Sequence, residues 1–335
     1  DAVGGLPTRN FQTGIFEGAA RIGGEALHDL IVQRGGKPTH SCMPGCVIRC
    51  SNILPDTEGG ELTRALEYES IVLLGANCGI SDLEAVAQLN RRCDELGLDT
   101  MEIGAAIGVA MEAGVIPFGD SSASLGLMEE IAQGSPLGRA LGSGAALAGR
   151  IFGLSRVPVV RGQAISAYDP RALKGTGVTY ATSPMGADHT AGNALPGSAL
   201  PDGTRPDPAN AEGQVALSRY LQKLAFVFDT LGLCWFTRPP ILADPSLLTD
   251  LLQAQHGENW TMEQLLDEAG RALATELAFN RQAGTGGGDS LPRFFRVEPL
   301  PPRNTTFDIP EVELCDTLAD LQPYEPLGHE NEKKV

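Results

Sequence analysis

The chain has 335 residues, 42% of them hydrophobic and 20% charged, so it has enough apolar side chains to bury a large core. Its formal charge of 25 − 42 = −17 argues against a nucleic-acid binder, because phosphate is bound by a surplus of lysine and arginine. Seven cysteines are too sparse for a disulfide scaffold and indicate reduced thiols or metal ligands, with the cytoplasm as the expected compartment. The longest apolar run, residues 103–118, contains Glu112 and several glycines and falls short of the ~20 apolar residues of a membrane span.

Three cysteines follow one another at four-residue steps near the start of the chain, Cys42, Cys46 and Cys50. Thiolates at such short spacing favour an iron-sulfur cluster or zinc, and a fourth ligand has to come from elsewhere. Zinc is the weaker interpretation, because no second cysteine or histidine pair is visible in the sequence. The alternative without a metal is a helix that buries three small cysteines on one face. Pro44 and Gly45 argue against that helix, because they interrupt it.

Periodic apolar positions predict three long helices, and capping residues mark their ends. The helices cover residues 81–97, 214–231 and 261–278. Ser81 is the expected N-cap of the first helix, and Gly97 and Gly232 follow the first and second helices as left-handed stops. Thr261 with Gln264 three residues later is a capping-box pattern at the start of the third.

Strand-like alternation is scarce and is confined to the short segments 157–160 and 178–182. Residues 193–208 are rich in proline, glycine and aspartate, as is typical of a surface loop. The chain is therefore predicted to be mainly α. A change in composition near Pro158 predicts two helical domains, residues 1–158 and residues 159–335.

The same D-x-x-G-L pattern ends the first two predicted helices. It comprises Asp94, Gly97 and Leu98 in the first copy and Asp229, Gly232 and Leu233 in the second. Each aspartate falls at the negative end of a helix dipole, where an acid is unfavourable by ~0.3 to 1 kcal/mol. Such a carboxylate can accept hydrogen bonds from ligand N–H donors, for example those of an amino-pyrimidine ring, although an ordinary glycine C-cap with a solvated aspartate is the alternative. Cys234 follows the second copy and is a candidate for the fourth thiolate.

Together these motifs resemble the tungsten-containing aldehyde ferredoxin oxidoreductases. The resemblance extends over roughly residues 1 to 300 and keeps the order of the motifs. Besides the cysteines and the two turns, the matching segments are residues 4–10, 68–70, 74–77, 168–171, 180–184 and 186–189. The resemblance implies two mostly helical domains that each bind one pterin of a bis-pterin tungsten or molybdenum cofactor. It also implies a [4Fe-4S] cluster beside one pterin.

Carried over to this sequence, the resemblance assigns a role to each motif. It implies that one pterin is held by Asp94, Gly97, Leu98 and Asp99 and the other by Asp229, Gly232 and Leu233. The cluster ligands would be Cys42, Cys46, Cys50 and Cys234, although the first spacing here is C-x₃-C and the family's is C-x₂-C. Glu69 and His189 would stand near the metal as acid/base groups, and we expect burial to raise the pKa of Glu69 toward the working pH.

The activity implied by the resemblance is oxidation of an aldehyde to a carboxylate, with electrons leaving through the cluster to ferredoxin. The family's β-rich N-terminal cofactor domain has no counterpart in this sequence, so we expect the second and third domains alone, as a fragment or as part of a split protein. An iron-sulfur electron-transfer module is a second interpretation. A radical enzyme is a weaker third, because its C-x₃-C-x₂-C spacing differs. The sequence leaves open which aldehyde is used, which metal is loaded and whether the chain forms a homodimer.

Overall fold

A computed structural model describes residues 3–285 and 290–324, which are predominantly helical, and this confirms the prediction of a mainly α protein. The helices are α1 (Ala19–Ile22), α2 (Gly24–Gln33), α3 (Tyr68–Leu74), α4 (Leu83–Leu96), α5 (Thr100–Glu112), α6 (Ser121–Gln133), α7 (Pro136–Gly142), α8 (Ala145–Phe152), α9 (Lys174–Thr182), α10 (Gln214–Thr230), α11 (Arg238–Ala243), α12 (Ser246–His256), α13 (Met262–Gln282), α14 (Arg293–Val297) and α15 (Glu311–Asp316). The strands are β1 (Lys37–His40), β2 (Ser51–Pro55), β3 (Glu61–Arg64), β4 (Val159–Val160) and β5 (Gln163–Ala164). No single helix of this described part is long and apolar enough to cross a bilayer; one pair bent by 117°, Tyr68–Cys78 with Leu83–Leu96, meets the length and composition test together.

The three predicted helices are present, with small shifts at their ends. Helix α4 is capped by Asp82 and not by Ser81, because the Asp82 carboxylate accepts a hydrogen bond from a backbone N–H of the first turn. Helix α13 starts with the predicted capping box of Thr261 and Gln264 and continues to Gln282. The segment 193–208 is irregular, as predicted for a loop.

The predicted strand over residues 178–182 is wrong, because these residues lie in α9. Every residue of α9 is buried, so its apolar side chains face protein in all directions and show no helical stripe. The hydroxyl of Thr182 donates to the carbonyl of Val178 at 2.8 Å, and that of Thr179 donates to the carbonyl of Gly175 at 3.3 Å. These bonds satisfy both hydroxyls inside the helix.

A small sheet not predicted from the sequence carries the cysteine triad. Strands β1, β2 and β3 pair antiparallel in that order, and residues 41–50 connect β1 to β2. Pro38 and Pro55 lie inside these strands and weaken the strand signal, since proline removes a backbone donor. A separate hairpin, in which the two-residue strands β4 and β5 pair, begins within the predicted strand 157–160.

Helix α5 fixes the position of α3, the helix on which the candidate site is built. The side chains from Ile103 to Met111 are buried without interruption, and α5 packs against both α3 and α8. A Cβ atom added at Gly104 would lie 2.6 Å from the backbone carbonyl carbon of Leu73 in α3. Glycine is therefore required here to let the two helix backbones approach closely.

Two clusters of buried apolar side chains hold the fold together. The larger one contains buried residues from the range 6–187 and from the returning segment 291–314, and the smaller one contains residues from the range 194–269. The larger cluster extends across residue 158, so the two clusters do not separate at that position. The division into domains 1–158 and 159–335 stays a prediction. Cys78 and Cys93 are buried in the larger cluster, whereas Cys315 is exposed.

Candidate functional site

The structure brings Glu69, Tyr168 and His189 together in one hydrogen-bonded cluster. The Tyr168 hydroxyl donates to Glu69 Oε1 at 2.7 Å, and His189 Nε2 lies 3.1 Å from the same oxygen. The side chains of Glu69 and His189 are only 21% and 16% exposed. The two residues predicted to act as acid and base are therefore in direct contact, with a tyrosine as the third member.

Different elements position the three side chains. Glu69 lies in the first turn of α3, whose following residues are all buried against the core. Tyr168 lies in the segment between β5 and α9, and His189 lies in the loop after α9. Asp188 shapes that loop, because its carboxylate accepts hydrogen bonds from the backbone N–H and the hydroxyl of Thr190.

The pKa of Glu69 is lowered from its usual value of 4.5, which contradicts the expected upward shift. Burial is the largest single effect and raises the pKa, but it is outweighed by the hydrogen bond from His189, the charge of His189 and the hydrogen bond from Tyr168. Glu69 is therefore ionised at neutral pH. Burial and the nearby Glu69 carboxylate raise the pKa of the Tyr168 hydroxyl, so Tyr168 stays protonated and donates.

His189 has one ring nitrogen without a hydrogen-bond partner. Its Nδ1 atom is buried and unpaired, and the nearest carboxylate oxygen, that of Asp188, lies 3.8 Å away. An unpaired polar atom in the interior is unfavourable unless a ligand, a water or a change of protonation completes it. Nδ1 is therefore the atom of this cluster available to a further group.

Aromatic rings form one wall beside the cluster. The Tyr168 ring lies 5.3 Å from the Tyr68 ring and 5.3 Å from the His189 ring, measured between centroids. The Tyr68 hydroxyl donates to the carbonyl of Ala167 at 3.2 Å, while 44% of the residue remains exposed. The wall thus reaches from the buried cluster to the protein surface.

The predicted cluster cysteines lie in an open loop. Residues 41–50 form turns and no helix, so the alternative of a helix that buries three cysteines is wrong. Cys42, Cys50 and Cys234 are exposed, and Cys46 is half-buried. Among residues 3–285 and 290–324, no three metal-binding side chains converge on a point suitable for a single metal ion.

Cys234 lies near the loop in space although it is far away in sequence. The pKa of the Cys50 thiol is raised by partial burial and by Glu67, with smaller contributions from Cys42 and Cys234. The thiols of Cys42, Cys50 and Cys234 are therefore within electrostatic reach of one another. Their ligation of a cluster stays a prediction, as does that of Cys46.

The two D-x-x-G-L turns have the same backbone conformation. Gly97 and Gly232 adopt φ values of +67° and +65°. In both turns the glycine N–H bonds to the aspartate carbonyl, and the leucine N–H bonds to the carbonyl five residues earlier at 2.9 Å. This double bond pattern is the Schellman motif that the glycine stop predicts. Leu98 packs against the larger core and Leu233 against the smaller one.

The carboxylates of both turns are exposed and lack a cation. Partial burial and, to a smaller extent, the charge of Glu95 raise the pKa of Asp94. Partial burial and, to a smaller extent, the charge of Asp188 raise the pKa of Asp229. Neither aspartate has an ion-pair partner within the described ranges 3–285 and 290–324. Asp99 differs from both, because its Oδ1 accepts the backbone N–H of Glu102 at 2.7 Å and caps α5.

Each turn lies near a residue that is adjacent in sequence to a member of the acid/base cluster. A groove of about 590 Å³ is lined by Asp94 and by Ser70, the neighbour of Glu69 in α3. Asp229 is close enough to Asp188 to feel its charge, and Asp188 precedes His189. Carboxylates without an ion-pair partner in the described ranges, at two equivalent turns, fit the N–H donors of two amino-pyrimidine rings, although Asp94 Oδ2 already accepts from the Asn90 amide at 3.4 Å. Exposed thiols fit an iron-sulfur cluster.

Tyr168 was missed as a functional residue by reasoning from the sequence, although its segment was noted. It lies 99 residues from Glu69 along the chain. No periodicity or spacing relates the two positions, and only the packing of α3 against the segment before α9 brings them together.

Comparison with known proteins places the chain in a family. Residues 1–319 match the sequence profile described as aldehyde ferredoxin oxidoreductase, domains 2 and 3. The chain belongs to the aldehyde ferredoxin oxidoreductase family.

Several named proteins are similar to the chain. A tungsten-containing aldehyde ferredoxin oxidoreductase of Thermococcus kodakarensis is 34% identical over 313 residues, covering 88% of this chain and 50% of that protein. One of Pyrococcus furiosus is 33% identical over 313 residues with the same coverage. An aliphatic sulfonate oxidoreductase, WOR-like subunit, of Pyrococcus furiosus is 28% identical over 323 residues, 85% of this chain and 47% of that protein. The chain spans about half the length of these relatives.

Proposed function

We propose that this chain forms the catalytic and electron-exit part of an oxidoreductase that converts an aldehyde and water to a carboxylic acid, two protons and two electrons. The observation that carries the proposal is the contact between Glu69, His189 and Tyr168 beside the D-x-x-G-L turns. Its support from relatives is that several are named tungsten-containing aldehyde ferredoxin oxidoreductases. A tungsten or molybdenum bis-pterin cofactor, when bound, supplies the two-electron acceptor for this reaction.

In this proposal Asp94 and Asp229 hold the two pterins, because their carboxylates are exposed, have no ion-pair partner in the described ranges and belong to turns of the same backbone conformation. Asp99 contributes its second oxygen, since the first caps α5. Gly97 and Gly232 keep each turn open, because a left-handed backbone without a side chain leaves the carboxylate accessible. Cys42, Cys46, Cys50 and Cys234 are the ligands of the [4Fe-4S] cluster in this proposal, because all but the half-buried Cys46 are exposed and Cys234 directly follows the second turn.

The proton chemistry belongs to the residues of the chain. Glu69 is ionised at neutral pH and accepts a proton from the water or hydrated aldehyde that is oxidised. His189 Nε2 donates to Glu69 Oε1, 3.1 Å away, and stabilises the ionised carboxylate, while the unpaired Nδ1 is the ring atom that can exchange a proton with the site. Tyr168 donates to Glu69 and holds the carboxylate in place. The aromatic wall of Tyr68 and Tyr168 excludes water from one side of the substrate.

The test is substitution of Glu69→Gln and of His189→Asn, separately, in the protein as its source produces it. Both variants should keep tungsten, molybdenum and iron content and lose about 10²-fold or more in kcat for aldehyde oxidation with a viologen dye as acceptor. Glu25→Gln is the matched control, because Glu25 also lies in the first turn of a helix, α2, but is exposed.

The outcomes separate the interpretations. Wild-type turnover in both variants with full cofactor content would remove Glu69 and His189 from the proton path. Iron without tungsten or molybdenum in the purified wild-type protein would instead support an iron-sulfur electron-transfer module.

A further inference from the structure

A row of buried polar side chains lies between α9 and α10. Its members, which we call the α9–α10 polar row, are Thr179 and Thr182 of α9 and Ser218 and Gln222 of α10, and each is 2% exposed or less. The Gln222 amide donates to the Thr182 hydroxyl at 2.9 Å and to the Ser218 hydroxyl at 3.2 Å. Apolar side chains of the same shape would join two helices equally well, so the row calls for a role beyond stability.

The row is connected to the loop that carries His189. The Thr179 hydroxyl reaches two carbonyl oxygens, that of Gly175 at 3.3 Å and, at the shorter distance of 2.7 Å, that of Gly192 in the loop. Because the proton of Thr179 points at carbonyls, Ser218 is the donor in its 2.7 Å contact with Thr179. The backbone N–H of Gly192 donates in turn to the carbonyl of His189 at 3.2 Å. Two hydrogen bonds therefore connect the Thr179 hydroxyl to the His189 backbone.

The same part of the loop is held at further points. The Thr176 hydroxyl, one turn earlier in α9, accepts from the backbone N–H of Ala194 at 3.1 Å and donates to the side-chain oxygen of Asn193 at 3.0 Å. A Cβ added at Gly192 would lie 2.9 Å from the backbone nitrogen of Gln222, so the loop backbone is in direct contact with α10. Three consecutive loop residues are thus fixed to the helix pair, three positions after His189.

We propose that Thr179 and Ser218 are positioning residues that hold His189 within hydrogen-bond distance of Glu69. The inference rests on the proposed function, in which His189 takes part in the proton chemistry. Ser218 holds Thr179, Thr179 holds Gly192, and Gly192 holds His189, so loss of the first contact loosens the last. The contact that depends on this chain of hydrogen bonds is the 3.1 Å between His189 Nε2 and Glu69 Oε1.

The ionisation of Glu69 reports on the position of His189. The His189 contact lowers the pKa of Glu69, so a looser contact should let that pKa rise. Asp188 also faces His189 from its own loop. The other titratable groups within electrostatic reach of Glu69 are Glu67 and Tyr68 beside it in sequence, Tyr168 before α9 and Tyr180 in α9. All of them are retained in the variants below, so a shift in the pKa of Glu69 is attributable to His189.

The first experiment removes the Thr179 hydroxyl and keeps the shape of the side chain. In the holoprotein as its source produces it, Thr179→Val should lower kcat for aldehyde oxidation about tenfold and change KM less than about twofold. The acid limb of the pH profile of kcat should move to higher pH, because Glu69 must be ionised to accept a proton. Ser218→Ala, which removes the preceding hydroxyl, should change kcat and the acid limb in the same direction.

Two further variants are the controls. Thr179→Ser restores the hydroxyl and should behave like the wild type. Thr317→Val removes an equally buried hydroxyl elsewhere, because Thr317 is 1% exposed and donates to the carbonyl of Glu313 at 2.8 Å, and it should leave kcat and the acid limb unchanged. Iron, tungsten and molybdenum contents are measured for every variant.

The second experiment requires no turnover. Thermal melting near neutral pH compares the effect of Glu69→Gln in the wild type and in the Thr179→Val background. Glu69→Gln should lower the melting temperature less in the Thr179→Val background, because the carboxylate there has already lost part of its contact with His189. In the Thr317→Val background the two effects should add.

Melting and turnover separate the two proposals. If the melting effects are coupled while the wild type oxidises no aldehyde, the positioning role stands and the proposed function fails. Additive melting effects, or an active Thr179→Val with the kcat and acid limb of the wild type, would overturn the positioning role. A loss of kcat that Thr179→Ser does not restore would also overturn it, since the hydroxyl would then not be the responsible group. If Thr179→Val does not fold, Ser218→Ala decides by the same measurements.

Discussion

Neighbouring side chains keep Glu69 charged although its side chain is largely buried. Burial opposes ionisation, while hydrogen bonds from His189 and Tyr168 favour it and prevail. A base that is already ionised at neutral pH can accept a proton without prior activation. The catalytic proposal therefore depends on the contacts of one carboxylate.

The same contacts make stability depend on pH. Because the folded-state pKa of Glu69 is below its usual value of 4.5, its stabilising effect is complete above that pH and is lost as the pH falls through the folded-state pKa. Glu69→Gln should lower the melting temperature near neutral pH and leave it unchanged in acid. Calorimetric melting across this pH range measures the difference, with Glu25→Gln as the control. A difference that persists in acid would show that Glu69 acts through packing and not through its charge.

A second prediction at the residue scale concerns the buried ion pair of Asp169 and Arg171. Both side chains are about 1% exposed or less, and Arg171 donates to both oxygens of Asp169, at 3.0 and 2.7 Å. Asp169→Asn should cost about 3–5 kcal/mol, because the guanidinium would remain buried without its counter-charge. Asp320→Asn removes an exposed partner of Arg219 and should cost at most about 1 kcal/mol. Denaturant unfolding measures both, and equal losses would contradict this account.

At the level of elements, the two D-x-x-G-L turns share the same backbone conformation and hydrogen-bond pattern. The residue that follows the pattern distinguishes the two copies, since Asp99 is the N-cap of α5 and Cys234 is the N-cap of a single 3₁₀ turn, Trp235–Thr237. Both residues have extended backbone conformations, with φ and ψ of −70° and 127° for Asp99 and −64° and 132° for Cys234. The same backbone thus presents a carboxylate in one copy and a thiol in the other.

The contact of α3 with α5 gives a prediction at this scale. Gly104→Ala would place a Cβ 2.6 Å from the backbone of Leu73 and should cost about 1–3 kcal/mol, because one helix has to move. Gly126→Ala in α6 has no atom within 4 Å of the new Cβ and should stabilise by about 0.5–1 kcal/mol. Thermal melting distinguishes the two. Equal stability of the two variants would show that α3 and α5 are free to separate.

Across the whole molecule, the returning segment 291–314 completes the larger core. Phe295, Phe307 and Ile309 are fully buried there, far in sequence from the helices that they cover. The ring of Phe307 approaches so closely to α9 that a Cβ at Gly177 would lie 2.6 Å from it. The fold thus depends on contacts of its last third with α9 in the middle third and, through the rings of Phe11 and Phe295 at 5.5 Å, with its first third.

This dependence predicts a large effect from a single late residue. Phe307→Ala should destabilise the chain by about 3–5 kcal/mol, because it leaves a cavity in the core that contains α3 and α9. Val312→Ala, five residues later and 64% exposed, should change stability by less than about 0.5 kcal/mol. Denaturation followed by circular dichroism measures both. Similar midpoints would mean that the segment packs without supporting the core.

Much of the candidate site could be predicted from the residues, and the failures have physical causes. The helix ends at Gly97 and Gly232 were correct, because glycine reaches the left-handed conformation at no steric cost. The strand predicted over residues 178–182 failed, because a helix buried on all sides shows no amphipathic period. The expected rise in the pKa of Glu69 failed, because burial was considered without the partners that packing supplies.

Local sequence by itself determined the helix stops, the capping box of Thr261 and the open cysteine loop, since each depends on the backbone preferences of a few adjacent residues. Only the tertiary structure decided that Glu69, Tyr168 and His189 share hydrogen bonds and that Cys234 approaches Cys50. The reason is physical: these pairs are distant along the chain, and their contact depends on how buried helices such as α3, α5 and α9 pack. Packing is a property of the whole core, and no local pattern records it.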